Sequence, residues 1–203
     1  MPYFVQRSRT RGLALAVVAA AWLVAAVPAA ASAACPPRPL STPFSQFGDD
    51  AAYTLVPGGS FESGAAGWSL TNARVASGNE SYKVQGGSHS LAIQPDGIAV
   101  SPAFCVSPAE PTVRFFVRQA SGSRAPLNVI LRWTDANGAT RQSALGSIHA
   151  NSDWQPTPIL QLASALPVWP TGQALNAQLV FVARAQAGAW AIDDVYLDPQ
   201  GRG

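Results

Sequence analysis

The chain has 203 residues, of which 48% are hydrophobic and only 12% charged, so its composition is that of a folded domain and excludes a disordered one. Its formal charge of +2 depends on three arginines at positions 7, 9 and 11. Beyond them stand ten basic and eleven acidic side chains. This near-neutral remainder excludes the electrostatic footprint of a nucleic-acid-binding protein or of a basic membrane-binding surface.

The N-terminal residues follow the order of an export signal. The three arginines precede an apolar run over 13–27, and Ala31-Ser32-Ala33 has the small residues of a cleavage site. The run is shorter than the ~20 residues of a membrane span. We therefore predict a signal peptide at 1–33, a mature chain that is secreted or associated with the cell envelope, and no membrane span in the mature form.

Two cysteines, Cys35 and Cys105, follow the predicted cleavage site. In an exported protein an even pair predicts a disulfide, which here would close a loop of about 70 residues and stabilise the fold by roughly 4 kcal/mol. One alternative stays open. Cys35 also lies where the lipidated cysteine of a lipoprotein stands, although a large aliphatic residue is missing three places before it.

Proline-rich residues 34–52 predict an extended arm, and residues 53–199 predict one β-sandwich followed by a short tail at 200–203. From Tyr53 onward, short apolar or alternating runs are separated by turn residues, without a convincing amphipathic helix. A turn at 95–97 separates two of the strands, and the prolines within 155–173 favour an edge strand or a long connection. The predicted strands are 53–56, 68–76, 81–85, 90–94, 98–101, 112–119, 127–134, 139–148, 176–184 and 189–197.

Alternation assigns a core face and an outer face to the two central strands. The core faces are wholly apolar and comprise Val113, Phe115 and Val117 on one strand and Leu127, Val129, Leu131 and Trp133 on the next. The outer faces mix arginine with apolar residues and comprise Arg114, Phe116, Arg118 and Asn128, Ile130, Arg132. We expect these outer faces to be partly covered or to form a groove.

Motifs of catalysis are weak. His89 and His149 have no zinc-ligand spacing, and no Gly-x-Ser-x-Gly elbow occurs. Asp193 and Asp194 suggest the paired carboxylates of a glycosidase, but neighbours on a strand project to opposite faces unless a bulge intervenes. We therefore predict no catalytic residue.

Two segments at the ends of the predicted sandwich resemble a known family. Gly58-Gly59-Ser60-Phe61-Glu62 with Gly67-Trp68-Ser69 resembles the opening of carbohydrate-binding modules of the galactose-binding-domain-like jelly-roll type. The segment from Trp190 to Leu197, WAIDDVYL, resembles their closing strand. Between them the chain is also similar to a group of uncharacterised exported proteins from GC-rich bacteria, in Gly78-Asn79-Glu80, Ser101 to Val106 and Arg114-Phe115-Phe116. The resemblance implies an all-β jelly-roll sandwich whose first and last strands meet.

The resemblance also implies a structural calcium site near those two strands. Carried onto this chain, its metal positions are Glu62 and Asp193, with Asp194 as a rival to Asp193. Ca²⁺ takes six to eight oxygen ligands, which carboxylates and backbone carbonyls can supply. Alternatively, each carboxylate caps a turn or pairs with an arginine.

Glycan binding on a concave face or at loop tips is the function that the resemblance implies. Sugar rings stack on exposed aromatic side chains, and their hydroxyls need planar polar partners. The candidates are Trp154 and Trp169, which stand in irregular proline-containing segments, and Arg114, Arg118 and Arg132. Trp68, Trp133 and Trp190 are predicted to be core. We expect this chain to be non-catalytic and to bind polysaccharide or cell-envelope glycan. The alternatives are a structural or adhesive envelope protein and a small secreted hydrolase.

Overall fold

The computed structural model describes residues 1, 3, 35–107, 112–122, 125–135, 137–166, 174–185 and 188–198. The predicted signal peptide apart from residues 1 and 3, the tail at 200–203 and Trp169 lie outside the described residues. The chain divides into two units, Met1–Ala31 and Ser32–Gly203, and every element below belongs to the second. None of the helices in the described ranges combines the length and the apolar character that crossing a membrane requires.

Short apolar runs and frequent turns produce an almost entirely β structure, as predicted. A 3₁₀ turn at Ser45–Phe47 and one short helix, α1 (Leu162–Ala165), are the helical elements among the described residues. The described strands are β1 (Thr54–Leu55), β2 (Ser69–Ser77), β3 (His89–Val100), β4 (Phe104–Val106), β5 (Thr112–Ser121), β6 (Leu127–Thr134), β7 (Thr140–Ile148), β8 (Gln155–Pro156), β9 (Leu160–Gln161), β10 (Leu175–Ala183) and β11 (Ala189–Asp198).

The strands are antiparallel and form a curled sheet in the order β7-β6-β10-β3-β11-β5-β8. The first half of β3 pairs with β11 and its second half with β10, while β2 follows β3 on its other side. We call β11 and β5, with β1, β8 and β9 at their sides, sheet A. We call β10, β6 and β7, with β4, sheet B. The bent pair β2–β3 joins the two sheets into a jelly-roll sandwich.

The corner of β2–β3 corrects the sequence prediction, which placed a turn at 95–97 between two strands. These residues instead lie inside one bent strand, β3. Asn72 and Asp96 adopt positive φ angles of 48° and 59°, and the Asn72 side-chain amide donates to the carbonyl of Pro95 at 2.6 Å. Pairing with β2 keeps both halves of β3 in one ladder, so a local turn signal becomes a bend where the strands change sheets. The strand predicted at 81–85 was also wrong, because these residues form a loop.

The main core lies between the two sheets. The predicted core faces of β5 and β6 are buried, as are Trp68 and Trp190. Phe115 packs edge-on against Phe181 of β10, with ring centroids 5.2 Å apart. Full burial of an apolar side chain contributes about 1.5–3 kcal/mol. Alternation therefore identified this core from the sequence.

A second, smaller core lies on the outer face of sheet A. Phe44 of the arm contacts Tyr53, Phe116 and Tyr196, and all four are fully buried. The arm is also tied to β4 by a Cys35–Cys105 disulfide with a Cα–Cα distance of 5.5 Å, which confirms the predicted bond. Every residue of β11 is buried, because the main core covers one face of the strand and the arm packs on Tyr196 of the other face.

The two end segments meet as predicted. β1 pairs with β11 through Thr54 opposite Leu197 and Leu55 opposite Tyr196. Val195 continues the contact, since its carbonyl accepts from the Val56 N–H at 2.8 Å and its N–H donates to the Gly59 carbonyl at 3.1 Å. The first and last strands therefore close the sandwich through their backbones.

Candidate functional sites

Four carboxylates cluster beside the middle of β11. Asp193, Asp194 and Glu80 are buried, and Glu62 is partly exposed, with 28% of its side chain accessible. The register of β11 against β5 shifts between Asp193 and Tyr196, and Asp194 has a φ of 47°. This bulge overrides the alternation that would have sent Asp193 and Asp194 to opposite faces. Both aspartates are consequently buried in one acidic cluster, where a substrate does not reach them.

Backbone N–H groups form hydrogen bonds to all four of these carboxylates, and the one to Asp194 comes from Gln85. Glu80 accepts from Tyr82 and Val84, which explains why residues 81–85 form a loop around it. Asp193 Oδ2 accepts from the Glu80 N–H at 3.0 Å, and its Oδ1 accepts from the Asp194 N–H at 2.9 Å.

Glu62 is held by the chain just before and within β3. It accepts from the N–H groups of Ser88 at 2.9 Å and His89 at 2.7 Å. Gly87 leaves room for this arrangement, because a Cβ at that position would collide with the Glu62 carboxylate. Glu62 is thus bound to Ser88 and His89, and no hydrogen bond joins it to Asp193 among the described residues.

The electrostatics of the cluster favour protons or a cation. Burial, followed by the charge of Asp194, raises the pKa of Asp193 to about 8. Burial, followed by the charges of Glu80 and Glu62, raises the pKa of Asp194 to about 7. For Glu62, desolvation opposes the shift, but hydrogen bonds from Ser88 and His89 leave its pKa lowered. Ionisation is therefore penalised at the two aspartates, which keep their protons to near-neutral pH unless a cation balances their charge.

The donor set of the cluster suits a hard cation. Oδ2 of Asp194 is buried and has no hydrogen-bond partner among the described residues. Carboxylate oxygens are the ligands that Ca²⁺ prefers. No three His, Cys, Asp or Glu side chains in the described ranges are grouped so as to hold a metal by themselves. A cation here would therefore use Asp194 Oδ2 together with backbone carbonyls.

Ser88, His89 and Glu62 come together but do not form a catalytic triad. Ser88 Oγ lies 3.1 Å from His89 Nδ1, and Glu62 Oε2 lies 3.3 Å from the same nitrogen. A triad needs the nucleophile on one imidazole nitrogen and the carboxylate on the other. Here both partners share Nδ1, so the imidazole cannot take the serine proton while the carboxylate orients it.

A cavity of about 350 Å³ opens at one end of the sandwich. We call it the end cavity. It lies where β5 ends, where the β7–β8 connection passes and where β11 begins, and its lining consists of Gln119, His149, Ala150, Asn151, Gln155 and Trp190. The Gln119 N–H donates to the Asn151 carbonyl at 2.7 Å, which fixes the connection against β5.

Trp190 is a buried residue that forms part of the lining of the end cavity. Its side chain is only 1% exposed, and its indole N–H is buried without a hydrogen-bond partner in the part of the chain that the structure describes. Around it stand amide and imidazole groups that can both donate and accept. The prediction that Trp190 belongs to the core is confirmed. The cavity itself could not be predicted, because its lining residues come from separate segments of the chain with no shared spacing.

The predicted ligand residues are not brought together. Arg114 is 12% exposed and forms an ion pair with Asp49 at 2.7 Å, so it attaches the arm to sheet A. The Arg118 guanidinium lies 5.2 Å from the centre of the Trp154 ring. Arg118 therefore covers the ring face on which a sugar was predicted to stack. Arg132 lies on the other sheet, in a second cavity of about 290 Å³.

Comparisons with known proteins identify the fold. No family model matches the chain, and no curated protein matches it in sequence. The CBM22-1 xylan-binding domain of Paenibacillus barcinonensis Xyn10C superposes with a TM-score of 0.51 at 16% identity, over 70% of this chain and 93% of that one.

A second solved structure contains the CBM22-1 and GH10 modules of Clostridium thermocellum Xyn10B complexed with xylohexaose. It superposes with a TM-score of 0.52 at 12% identity, over 70% of this chain and 28% of that one. The fold is therefore the galactose-binding-domain-like jelly roll found in carbohydrate-binding modules, as the two end segments indicated.

Proposed function

We propose that this chain is an exported, non-catalytic domain that binds glycan, and that the end cavity is its binding site. The observation that carries the proposal is the end cavity, whose amide and imidazole side chains stand beside Trp190, a buried residue whose indole N–H has no hydrogen-bond partner among the described residues. Support also comes from the fold, since structures that share it include a xylan-binding domain and a xylohexaose complex. The disulfide is compatible with an oxidising location outside the cytoplasm.

The end cavity has the chemistry that a sugar ring requires. A buried donor without a partner costs about 1–3 kcal/mol, and a sugar hydroxyl that accepts from Trp190 would recover this cost. Each sugar hydroxyl can donate as well as accept, which suits the side chains of Gln119, Asn151 and Gln155. A cavity of about 350 Å³ lies at the small end of ligand pockets. We therefore expect a short or terminal sugar unit.

The aromatic side chains agree with recognition in a cavity. From residue 35 onward, Tyr82 is the one exposed aromatic residue among those described, and it is 39% exposed. Trp154 is half-buried beneath Arg118. A long flat stacking platform is therefore absent from the described surface, and hydrogen bonding in the end cavity is the mode of binding that we propose.

A glycan array followed by calorimetry tests this function. The mature chain should bind at least one bacterial or plant glycan. Trp190→Phe removes the N–H and keeps an aromatic ring, so it should weaken binding roughly tenfold, the effect of about 1.4 kcal/mol. Asn151→Ala should have a similar effect. Gln142→Ala, an exposed residue of β7 outside the end cavity, is the matched control.

Two outcomes would contradict the proposal. Silence across the array would favour the structural or adhesive envelope protein. Binding that is unchanged by both cavity variants would move the site elsewhere.

We also propose that the acidic cluster holds a structural Ca²⁺. Of the three predicted positions, Asp194 supplies the uncommitted oxygen, whereas Glu62 and Asp193 accept hydrogen bonds from backbone N–H groups beside it. Calcium should raise the thermal unfolding midpoint of the chelator-treated protein, because a ligand of the folded state stabilises it. An unchanged midpoint, with and without chelator, would remove the metal from the proposal.

A further inference from the structure

We infer that the cavity around Arg132 binds the carboxylate of a uronic-acid sugar. We call it the arginine cavity. Its lining consists of Ala103, Arg132, Trp133, Thr134, Thr140, Asn176 and Gln178. The sugar part of this inference rests on the proposed glycan-binding function, whereas the carboxylate part rests on Arg132 alone.

Arg132 is held in one orientation by its neighbour across the sheet. It lies opposite Gln178 of β10, and its Nε and Nη2 donate to Gln178 Oε1 at 3.2 and 2.9 Å. The Gln178 amide nitrogen in turn donates to the Ser101 carbonyl at 2.9 Å, which fixes the direction of the glutamine. The guanidinium is therefore preorganised before any ligand arrives, which lowers the entropy lost on binding.

Most donors of this guanidinium are not used by the protein. Arginine carries five N–H groups, and two of them bond to Gln178. The other three, including both on Nη1, have no partner among the described residues. A planar fork with adjacent free N–H groups matches the geometry of a carboxylate.

The positive charge of Arg132 is also not neutralised. The other lining residues of the arginine cavity are uncharged. Asp135, the acidic residue nearest in sequence, accepts from Arg141 Nε at 2.8 Å and from the N–H groups of Asn137 and Ala139 at 2.9 Å each. Arg114, by contrast, has Asp49 as its partner. An unpaired arginine in a neutral cavity selects an anion.

The rest of the cavity favours a sugar acid over a bare anion. Thr134, Thr140 and Asn176 offer hydroxyl and amide groups, which can bond to sugar hydroxyls beside the carboxylate. A neutral sugar would leave the guanidinium desolvated without a counter-charge, and such a mismatch is costly. The site should therefore discriminate acidic from neutral saccharides by charge and by hydroxyl contacts together.

The arginine cavity is separate from the end cavity. Strand β7 begins at the arginine cavity with Thr140 and ends next to His149 of the end cavity. Its nine residues rise about 3.3 Å each, so the two cavities lie roughly 30 Å apart. Variants at one site should therefore leave the other site unaffected.

Calorimetric titration of the mature chain with galacturonate oligosaccharides tests the inference. They should bind about tenfold more tightly than the neutral galactose oligosaccharides of equal length, and added salt should reduce the difference. Arg132→Gln should abolish that preference. Gln178→Glu, which supplies an internal counter-charge, should abolish it as well. Arg74→Gln, at an exposed arginine of β2, is the control and should change nothing. Circular dichroism confirms folding of each variant.

The outcomes separate this inference from the proposed function. Equal affinity for acidic and neutral oligosaccharides, or a preference that survives Arg132→Gln, would overturn the inference and leave the end cavity untouched. Acid-selective binding that depends on Arg132 but not on Trp190 would support it even if the end cavity fails. Acetate is the last probe: if it competes as strongly as monomeric galacturonate, the site reads only the carboxylate and the sugar assignment is wrong.

Discussion

The outer faces of the two sheets look alike in sequence but differ in the structure. On β5 the outward residues are Arg114, Phe116 and Arg118, and on β6 they are Asn128, Ile130 and Arg132. The arm covers Arg114 and Phe116 with Asp49 and Phe44, and Trp154 lies against Arg118. Nothing among the described residues covers Arg132 in that way, and it lines an open cavity. The same pattern of arginine and apolar residues therefore occurs on a covered face and on an open face. Whether a distant segment, here the arm, packs on the face decides which of the two it becomes.

The largest effect should come from releasing the arm that makes the two faces different. Replacing Cys35 and Cys105 by serine removes a cross-link between positions 70 residues apart and should lower the free energy of unfolding by about 4 kcal/mol. Denaturant titration of the oxidised wild-type protein and the double variant measures the difference. A loss below about 1 kcal/mol would mean that packing alone holds the arm.

The next largest effect should come from the arginine on the covered face. Arg114→Ala leaves Asp49, which is 7% exposed, without its ion-pair partner and removes a guanidinium that lies 4.5 Å from the centre of the Phe44 ring. Because Asp49 keeps its hydrogen bonds from Ala51 and Tyr53, the loss should be about 3 kcal/mol, the lower limit for breaking a buried pair. Denaturant titration again gives the value. Stability equal to that of the wild type would show that the covered face does not depend on this contact.

A pH effect should follow from the burial of Asp193 and Asp194 in β11. The pKa values of Asp193 and Asp194 are raised to about 8 and about 7, above the unfolded value of 3.8, so the folded state binds more protons between these limits. Their stabilising contribution is complete below pH 4 and is lost as pH rises through 7 to 8. In the metal-free protein the loss should be at least about 1.4 kcal/mol, the equivalent of one pKa unit.

Chemical unfolding with a chelator at pH 5.5 and pH 8 measures this slope. The Asp193→Asn, Asp194→Asn double variant should flatten it. A slope that is unchanged in that variant would assign the effect to other groups.

The smallest effect should come from the arginine on the open face. Arg132→Ala removes no ion pair, so it should change the free energy of unfolding by less than about 0.5 kcal/mol. Its contrast with Arg114→Ala is the direct test of the comparison between the faces. A large loss at Arg132 would show that this face is structural as well.

The sequence was sufficient for the sandwich core and for the meeting of its ends. Alternation on β5 and β6 reports burial directly, because each strand packs one face against the other sheet. The turn predicted at 95–97 was wrong as a break between two strands. Pairing with β2 decides whether such a turn signal becomes a hairpin or a bend within one strand. The same applies to Asp194, whose bulge is set by the strands around it.

The two cavities could not be predicted from sequence patterns. Gln119, Asn151 and Trp190 stand in three separate segments, and only the fold brings them together. Trp154 was expected to be exposed, but Arg118 covers its ring. Alternation predicted Arg132 on the outer face of its strand, whereas its lack of a counter-charge is visible only from its neighbours in the structure. The assignment of these residues to ligand binding stays a prediction.

The position of β11 has a consequence for how the chain acquires its structure. This strand inserts between β3 and β5 and also receives β1, yet it is synthesised after all three. Until it arrives, two strand edges remain open, and open edges are templates for aggregation. Pairing of such distant segments also slows folding. The final strand therefore completes the sheet, and a chain interrupted before residue 189 should be prone to assemble with other chains.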